Sequence, residues 1–194
     1  MSDDVVVQTR GLVAPFLAGI ILATGCGGGK APPAVETVLE GWESVVSFVA
    51  WKAWDQTVTF TDESRHHTEG IQACRLNFDF ARYEWPMIYA KRDKVIDIRP
   101  FNSIKLDVYV PPGMGLHLTV TVVVYGLGNN RKTTSPTAGL KEGWNTAVFD
   151  LSGKWMNNVV KQSVISYELV IGSTDKRKKG WVVLDNFRCS PGKN

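Results

Sequence analysis

The feature that most constrains the fold is a two-residue alternation of polar and apolar side chains. It runs through residues 75–80, 105–110 and 145–151, and it returns in 117–124 and 165–171. An alternation with this period places one face of a β-strand against a core and the other towards solvent. No long window has the spacing of an amphipathic helix. The sequence therefore predicts an all-β protein.

Turn residues separate these runs at short and unequal intervals. They include Pro111-Pro112-Gly113, a Gly- and Asn-rich stretch at 126–130, and Glu142-Gly143. Several short strands with no helices between them indicate a β-sandwich or a barrel. The mixed connection lengths favour a jelly-roll β-sandwich of two antiparallel sheets.

Composition narrows the class of protein further. The 194 residues are 44% hydrophobic and carry a formal net charge of +3, which fits a globular domain and is too weak to indicate nucleic-acid binding. One dense basic run, residues 175–180, lies between two strand-like segments and ends in glycine. We interpret this run as a solvated hairpin tip.

The N-terminal segment differs from the rest of the chain. Residues 11–26 are apolar but shorter than the roughly 20 residues that span a bilayer, so they resemble the core of a signal peptide. Their end, Leu22-Ala23-Thr24-Gly25-Cys26, resembles the lipobox of bacterial lipoproteins, in which the cysteine is lipidated. This predicts a signal peptide over 1–25, a flexible tether over 26–35 and a β-sandwich domain over 36–194. An uncleaved anchor helix is the alternative.

Both interpretations of this segment place the domain outside the cytoplasm, either lipid-anchored in a bacterial cell envelope or extracellular. In that setting Cys74 and Cys189 are a plausible disulfide, provided that their Cα atoms approach within about 7 Å.

The aromatic residues are candidates for ligand contact. Seven tryptophans are many for this length, and a flat apolar ring with a polar tip suits the C–H faces and hydroxyl rim of a sugar. Trp42 and Trp181 are expected to pack in the core, and Trp144 in the core or against the turn that precedes it. Trp51 and Trp54 lie on opposite faces of a regular strand, so at most one of them is expected to face a ligand. The candidate contacts are Trp51, Trp54, Tyr83, Trp85 and Tyr125, with the polar side chains of Arg75, Asp107 and Arg131.

The order of motifs resembles a known family. From about residue 37 to 189 the chain carries LEGWES, TEGIQACRLNF, FNSIKLDVYVP, LTVTVVV, LKEGWNTAVFDLS and WVVLDNFR. This order is similar to that of jelly-roll carbohydrate-binding modules of the galactose-binding-domain-like class. The resemblance implies binding of a polysaccharide or oligosaccharide without catalysis, although this fold also hosts proteins that bind other ligands.

The resemblance also implies a structural calcium ion between the first and last strands. The matching positions are Glu43, Asp185 and the loop 67–70, which includes Glu69. Carboxylates and backbone carbonyls suit this hard cation. The alternative is a buried aspartate that accepts hydrogen bonds from neighbouring amides, without metal. The same fold would bring the strands of Cys74 and Cys189 close together, which strengthens the expectation of a disulfide.

Sequence motifs for catalysis are lacking. There is no nucleophile elbow and no phosphate-binding loop, and the adjacent His66 and His67 are interpreted as part of a solvated loop. The first hypothesis is therefore a non-catalytic carbohydrate-binding module that a lipid anchor holds at the membrane. The second is a structural or protein-docking envelope lipoprotein. A line of exposed aromatics would favour sugar, and a broad apolar patch without a groove would favour a protein partner. A His-Tyr-Arg cluster or paired carboxylates in a cleft would favour an enzyme.

Overall fold

The computed structural model describes residues 35–44, 50–54, 58–114, 119–126, 130–134, 139–153, 156–173 and 179–191. The predicted signal peptide, the lipidation site Cys26 and nearly all of the tether lie outside these ranges and stay predictions. Within the described ranges, no helix is long and apolar enough to cross a bilayer.

The described residues form eleven strands and one short helix. The elements are β1 (Thr37–Glu40), β2 (Trp51–Ala53), β3 (Val58–Glu63), β4 (Ala73–Asp79), β5 (Met87–Ile96), β6 (Ser103–Val110), β7 (Thr119–Gly126), β8 (Asn130–Thr134), β9 (Gly143–Asp150), α1 (Asn158–Lys161), β10 (Val164–Gly172) and β11 (Lys179–Ser190). Strands β4, β6, β7, β9 and β10 coincide with the five alternating runs, which confirms the strand prediction there.

The strands assemble into two antiparallel sheets. Sheet A has the order β3-β4-β11-β6-β9, with β1 paired to the end of β11, and sheet B has the order β2-β5-β10-β7-β8. Sheet A turns one face inwards, as the alternating burial of β4 and β6 shows, and sheet B does the same along β5, where Ile88 and Ala90 are buried. The predicted two-sheet β-sandwich is confirmed.

The core lies between the two sheets. Trp42, Trp51 and Phe187 are almost fully buried, with ring centroids 5.5 and 6.2 Å apart in successive pairs. Burying a large side chain of this kind stabilises the fold by about 1.5–3 kcal/mol. The expectation that Trp42 lies in the core is confirmed.

The segment between β10 and β11 is not a hairpin. Strand β10 belongs to sheet B and β11 to sheet A, so the basic run joins the two sheets. The interpretation as a hairpin tip was wrong, because strands that are adjacent in sequence pair in different sheets here. Residues 174–178 themselves lie outside the described ranges.

The predicted disulfide does not form, since Cys74 and Cys189 are both buried free thiols. Cys74 pairs across the sheet with Leu184, and Cys189 lies five residues further along the same strand. At about 3.3 Å per residue, and allowing for a bulge, the two positions are roughly 13 Å or more apart, beyond the reach of a bridge. Burial raises the pKa of the Cys74 thiol, and it raises that of Cys189 to about 12.

Candidate functional site

A wide depression crosses the outer face of sheet B. We call it the sheet B groove, and its volume is about 660 Å³. Four neighbouring strands or their ends contribute to it. Its lining residues are Trp54, Tyr89, Lys91, Tyr125, Ile165, Ser166 and Glu168.

Strand periodicity aims the β5 side chains into this groove. Ile88 and Ala90 are fully buried in the core, so the intervening Tyr89 and the following Lys91 point to the opposite side of the sheet. Cross-strand register then brings Glu168 of β10 opposite Tyr89, and Ser166 opposite Lys91. We call a row of residues that lie directly opposite one another on neighbouring strands a rung. One rung therefore holds an aromatic ring beside a carboxylate, and the next rung on the same face holds an ammonium group beside a hydroxyl.

The aromatic lining comes from three separate elements. Trp54 follows β2 and is 50% exposed, and its ring meets that of Tyr89 edge-on at 5.9 Å. Tyr125 of β7 lies on the rung of Ser166. At about 4.8 Å between strands, the rings span several strands of the sheet. These are apolar surfaces on which the flat C–H face of a sugar ring can pack.

Polar groups lie between these rings. Glu168 is only 6% exposed, so its carboxylate lies low in the groove, where it is a hydrogen-bond acceptor. The Ser166 hydroxyl donates to the Ala90 carbonyl at 2.8 Å, which leaves its oxygen free to accept. Lys91 is exposed and adds a donor. A groove with apolar ring faces and interleaved donors and acceptors suits a polyhydroxylated ligand.

Two of the predicted ligand contacts, Trp54 and Tyr125, line this groove. A third, Arg131, lies in β8 directly opposite Tyr125 and therefore on the same rung. The others lie elsewhere. Tyr89, Lys91, Ser166 and Glu168 were missed, because alternation identifies outward positions but does not say which strands are neighbours.

Trp51 was wrongly predicted as a ligand contact. It is 2% exposed, packs against Trp42 and Phe187, and donates its indole N–H to Glu40 Oε2 at 3.3 Å. The expectation that Trp51 and Trp54 point to opposite faces is confirmed, since Trp51 is buried and Trp54 is half exposed.

The loop between β4 and β5 carries Tyr83 and Trp85 away from the groove lining. Tyr83 borders a smaller depression of about 220 Å³, with the Arg82 guanidinium 5.8 Å from its ring centre. Trp85 is 55% exposed but does not line the sheet B groove. Aromatic character alone did not distinguish these loop residues from groove residues.

Arg75 and Asp107 lie on the outer face of sheet A, not in the groove. Asp107 is 6% exposed, and its carboxylate accepts hydrogen bonds from Thr146 at 2.8 Å and from Arg188 at 3.0 Å. Its prediction as a ligand contact was wrong, because its carboxylate is buried and already hydrogen-bonded within the fold. Arg75 lies over the Trp181 ring, 4.2 Å from its centre.

Sheet A carries an aromatic cluster on this outer face that sequence reasoning misplaced. The ring centroid of Tyr109 lies 5.5 Å from that of Trp144, 6.0 Å from that of Trp181 and 4.3 Å from that of His66. Trp181 was expected in the core and Trp144 in the core or against its turn, yet Trp181 is only half-buried and Trp144 is 38% exposed, so neither lies in the core. Both residues occupy positions on β9 and β11 that alternate with core positions and therefore face outwards. This alternation could have predicted that they lie on the surface.

His66, Tyr109 and Arg75 form the kind of cluster that would favour an enzyme. In this fold, however, the His66 imidazole packs over the Tyr109 ring and Arg75 packs over Trp181. None of them lines a cavity described for the chain. The rings instead form the surface on which the loop after β3 rests.

Glu63 contributes charge beside this loop. Its Oε1 accepts from the Arg65 backbone N–H at 2.8 Å, and Oε2 lies 3.8 Å from Arg75. Burial acts to raise the pKa of Glu63, but the Arg65 N–H and the positive charges of His66 and Arg75 outweigh it, so the pKa is lowered. The carboxylate is therefore held in its charged form.

The residues proposed for calcium accept hydrogen bonds from the protein. Asp185 is fully buried, and its Oδ2 accepts from Thr68 N at 2.5 Å, Thr68 Oγ1 at 2.8 Å and Glu69 N at 3.2 Å. Glu43 Oε2 accepts from the backbone N–H groups of Ile71 and Gln72 at 2.9 and 3.3 Å.

This donor set does not fit a cation. N–H and O–H groups point at the oxygens that a metal would need, and the described residues contain no cluster of three or more metal-ligating side chains. Glu69 contributes its backbone N–H to the network. The described geometry fits the hydrogen-bonded alternative, and calcium at Glu43, Glu69 and Asp185 stays a prediction of the resemblance.

Comparison with solved structures places this geometry among known folds. The chain is similar to the family 11 carbohydrate-binding module of the cellulosomal cellulase Lic26A-Cel5E of Clostridium thermocellum, at 12% identity and a TM-score of 0.57 over 81% of this chain and 95% of that one. It is similar to the CBM22-1 xylan-binding domain of Paenibacillus barcinonensis Xyn10C, at 16% identity and a TM-score of 0.54 over 82% and 94%.

A third similar structure is CBM27-1 of Caldicellulosiruptor saccharolyticus, in complex with mannohexaose. Identity is 14% and the TM-score 0.54, over 83% of this chain and all of that one. No protein-family model matches the chain, and no curated protein matches it in sequence. At these identities the likeness shows the fold, a β-sandwich shared with carbohydrate-binding modules.

Proposed function

We propose that the protein binds a polysaccharide or oligosaccharide in the sheet B groove without catalysing a reaction. The observation that carries this proposal is the combination of Trp54, Tyr89 and Tyr125 with Ser166 and Glu168 along one open depression. The structural likeness to carbohydrate-binding modules supports it at the level of the fold.

The alternative of a protein-docking lipoprotein would be favoured by a broad apolar patch without a groove. The outer face of sheet B instead combines a groove with spaced aromatic rings and polar groups between them, which favours a sugar. Against an enzyme, the groove lining described here contains a single carboxylate, whereas glycoside hydrolysis ordinarily uses two.

The lipid anchor is proposed on sequence alone. Leu22-Ala23-Thr24-Gly25-Cys26 supports lipidation of Cys26, which would hold the domain at a bacterial membrane. Metabolic labelling with a fatty-acid analogue tests this: the wild type should be labelled and Cys26→Ala should not. Equal labelling of both proteins would refute the anchor.

Affinity electrophoresis of the full chain in gels containing single polysaccharides tests the binding function. A mixed-linkage β-glucan, xylan, galactomannan, polygalacturonate and a sulfated galactan form the panel. We expect retardation by at least one of them, with no new reducing ends released from it. Absence of retardation by every polysaccharide, with the protein folded, would refute the proposed function.

Two tryptophans of nearly equal exposure provide a matched pair for locating the site. Trp54 is 50% exposed and lines the groove, whereas Trp85 is 55% exposed and lies outside its lining. Trp54→Ala should weaken binding about tenfold or more, as truncation of a central aromatic contact does, and Trp85→Ala should leave it nearly unchanged. Circular dichroism checks that both variants fold.

A further inference from the structure

We infer that the ligand of the sheet B groove is an acidic glycan, bearing carboxylate or sulfate groups. This inference rests on the proposed function and specifies its substrate class. It starts from two lysines, Lys52 and Lys91, which are both neighbours of Tyr89 in the sheet.

The register of the sheet fixes this arrangement. Lys52 of β2 pairs directly with Tyr89 of β5, and Lys91 follows Tyr89 by two residues on the same face of the strand. Both Cα atoms therefore lie within about 7 Å of that of Tyr89. A second depression of about 250 Å³, lined by Ala50, Lys52, Tyr89 and Lys91, adjoins the groove and shares Tyr89 and Lys91 with it.

These two lysines are not neutralised within the described part of the chain. Neither ammonium group makes an ion pair or hydrogen bond there. On sheet A the lysines are paired: Lys105 Nζ lies 2.5 Å from Glu36 Oε1, and Lys179 Nζ lies 3.1 Å from Asp79 Oδ2. Among the described residues, two ammonium groups thus lie next to Tyr89, against the single carboxylate of Glu168 in the groove lining.

This charge distribution indicates the chemistry of the ligand. Like charges that are close neighbours in a sheet destabilise it slightly, and an anion bound between them removes that cost. Ammonium groups are strongly hydrated, so neutral hydroxyls give little gain for displacing their water, whereas a carboxylate or sulfate forms an ion pair. The buried Glu168 lies low in the groove, where it can accept from sugar hydroxyls while the acidic substituents face the lysines at the border.

Matched ligand pairs test the inference directly. The full chain is run by affinity electrophoresis against polygalacturonate and its carboxyl-reduced form, and against a sulfated galactan and its desulfated form. Mixed-linkage β-glucan is the neutral reference. We expect binding to one acidic polymer and loss of that binding in its neutralised form. Which pair responds distinguishes carboxylate from sulfate.

Salt and lysine variants exclude attraction by net charge alone. Between about 0.01 M and 1 M salt the Debye length falls from about 30 to about 3 Å, so the ion-pair contribution should decline. Lys52→Gln and Lys91→Gln should each lower affinity about two- to fivefold. Lys141→Gln removes the same charge from an exposed position before β9 and should have no effect. Trp54→Ala should weaken retardation as well, by about tenfold or more in affinity.

The outcomes separate the two proposals. Retardation by neutral polymers that is insensitive to salt and to both groove lysines would overturn the acidic-ligand inference and leave the proposed function standing. Retardation that falls equally with Lys141→Gln would overturn it as well, because net charge would explain it. No retardation by any polymer would refute both.

Discussion

Replacing the buried aspartate of the last strand should destabilise the fold strongly. Asp185 has no solvent exposure, and its carboxylate accepts four hydrogen bonds, from Thr68 N, Thr68 Oγ1, Glu69 N and Asn186 N. The three bonds from Thr68 and Glu69 fasten the loop after β3 to sheet A. In Asp185→Ala all four donors lose this partner.

The size of this loss of stability depends on how far each donor can replace its lost hydrogen bond with one to water. A hydrogen bond to a charged group contributes about 1.5–3 kcal/mol, but Thr68 and Glu69 are exposed and water can replace part of their bonds. The N–H of Asn186 is buried with its residue and recovers less. Loss of the charge also relieves repulsion with Asp107, which lies directly opposite. We expect the free energy of unfolding to fall by about 3 kcal/mol, out of a typical 5–15 kcal/mol.

Urea unfolding at neutral pH measures this loss, with the slope of the transition checked for a change in cooperativity. Thr146→Val is a smaller comparison, since it removes one hydroxyl that donates to Asp107 Oδ1 at 2.8 Å and should cost about 1 kcal/mol. A loss below about 1 kcal/mol for Asp185→Ala would show that this network does not hold the loop.

Four further predictions concern the same fold. Gly70→Ala should destabilise the fold more than Gly113→Ala does. Both glycines have positive φ, but only at Gly70 would a Cβ meet the Glu43 carboxylate. Equal losses of unfolding free energy in urea would refute this steric reasoning. The two buried thiols of β4 and β11 should react with a thiol reagent only after denaturation, and reductant should leave the melting temperature unchanged; a reductant-sensitive melting temperature would indicate a bridge. The pKa of Glu63 is lowered in the folded state, so its charged carboxylate stabilises the fold above the usual carboxyl pKa of about 4.3. This stabilisation is lost as pH falls through the folded pKa. Glu63→Gln should therefore lose less stability on acidification than the wild type. Chelator should leave the urea midpoint unchanged, whereas a calcium-dependent increase would show that an ion replaces the hydrogen bonds of Asp185.

The strands and the two-sheet class could be predicted from sequence because burial imposes a period of two on each strand by itself. The three-residue spacing of Trp51 and Trp54 put them on opposite faces of a strand without saying which one faces outwards, and the structure places Trp51 in the core and Trp54 on the surface. The alternation also placed Trp181 and Tyr109 at outward-facing positions. Trp181 was nevertheless assigned to the core because tryptophan is hydrophobic, so the aromatic cluster on sheet A was not predicted.

The groove could not be predicted because it depends on strand order. Tyr89 and Glu168 are 79 residues apart in sequence and become neighbours only when β5 pairs with β10. Strand β5 also contains the charged run Lys91-Arg92-Asp93-Lys94, which obscures its alternation. The disulfide prediction was wrong for a similar reason. That two strands are neighbours does not determine which residues lie opposite each other, and here Cys74 lies opposite Leu184 and not opposite Cys189.

The most direct test of the central claim is to map the ligand onto the two outer faces of the sandwich. The seven tryptophan indole N–H signals can be followed by NMR while an oligosaccharide of the retarded polymer is added. Binding in the sheet B groove predicts that the Trp54 signal shifts with the titration while those of Trp144 and Trp181 on sheet A stay in place. Shifts of Trp144 and Trp181 with an unchanged Trp54 would contradict the account and place the sugar on the opposite sheet.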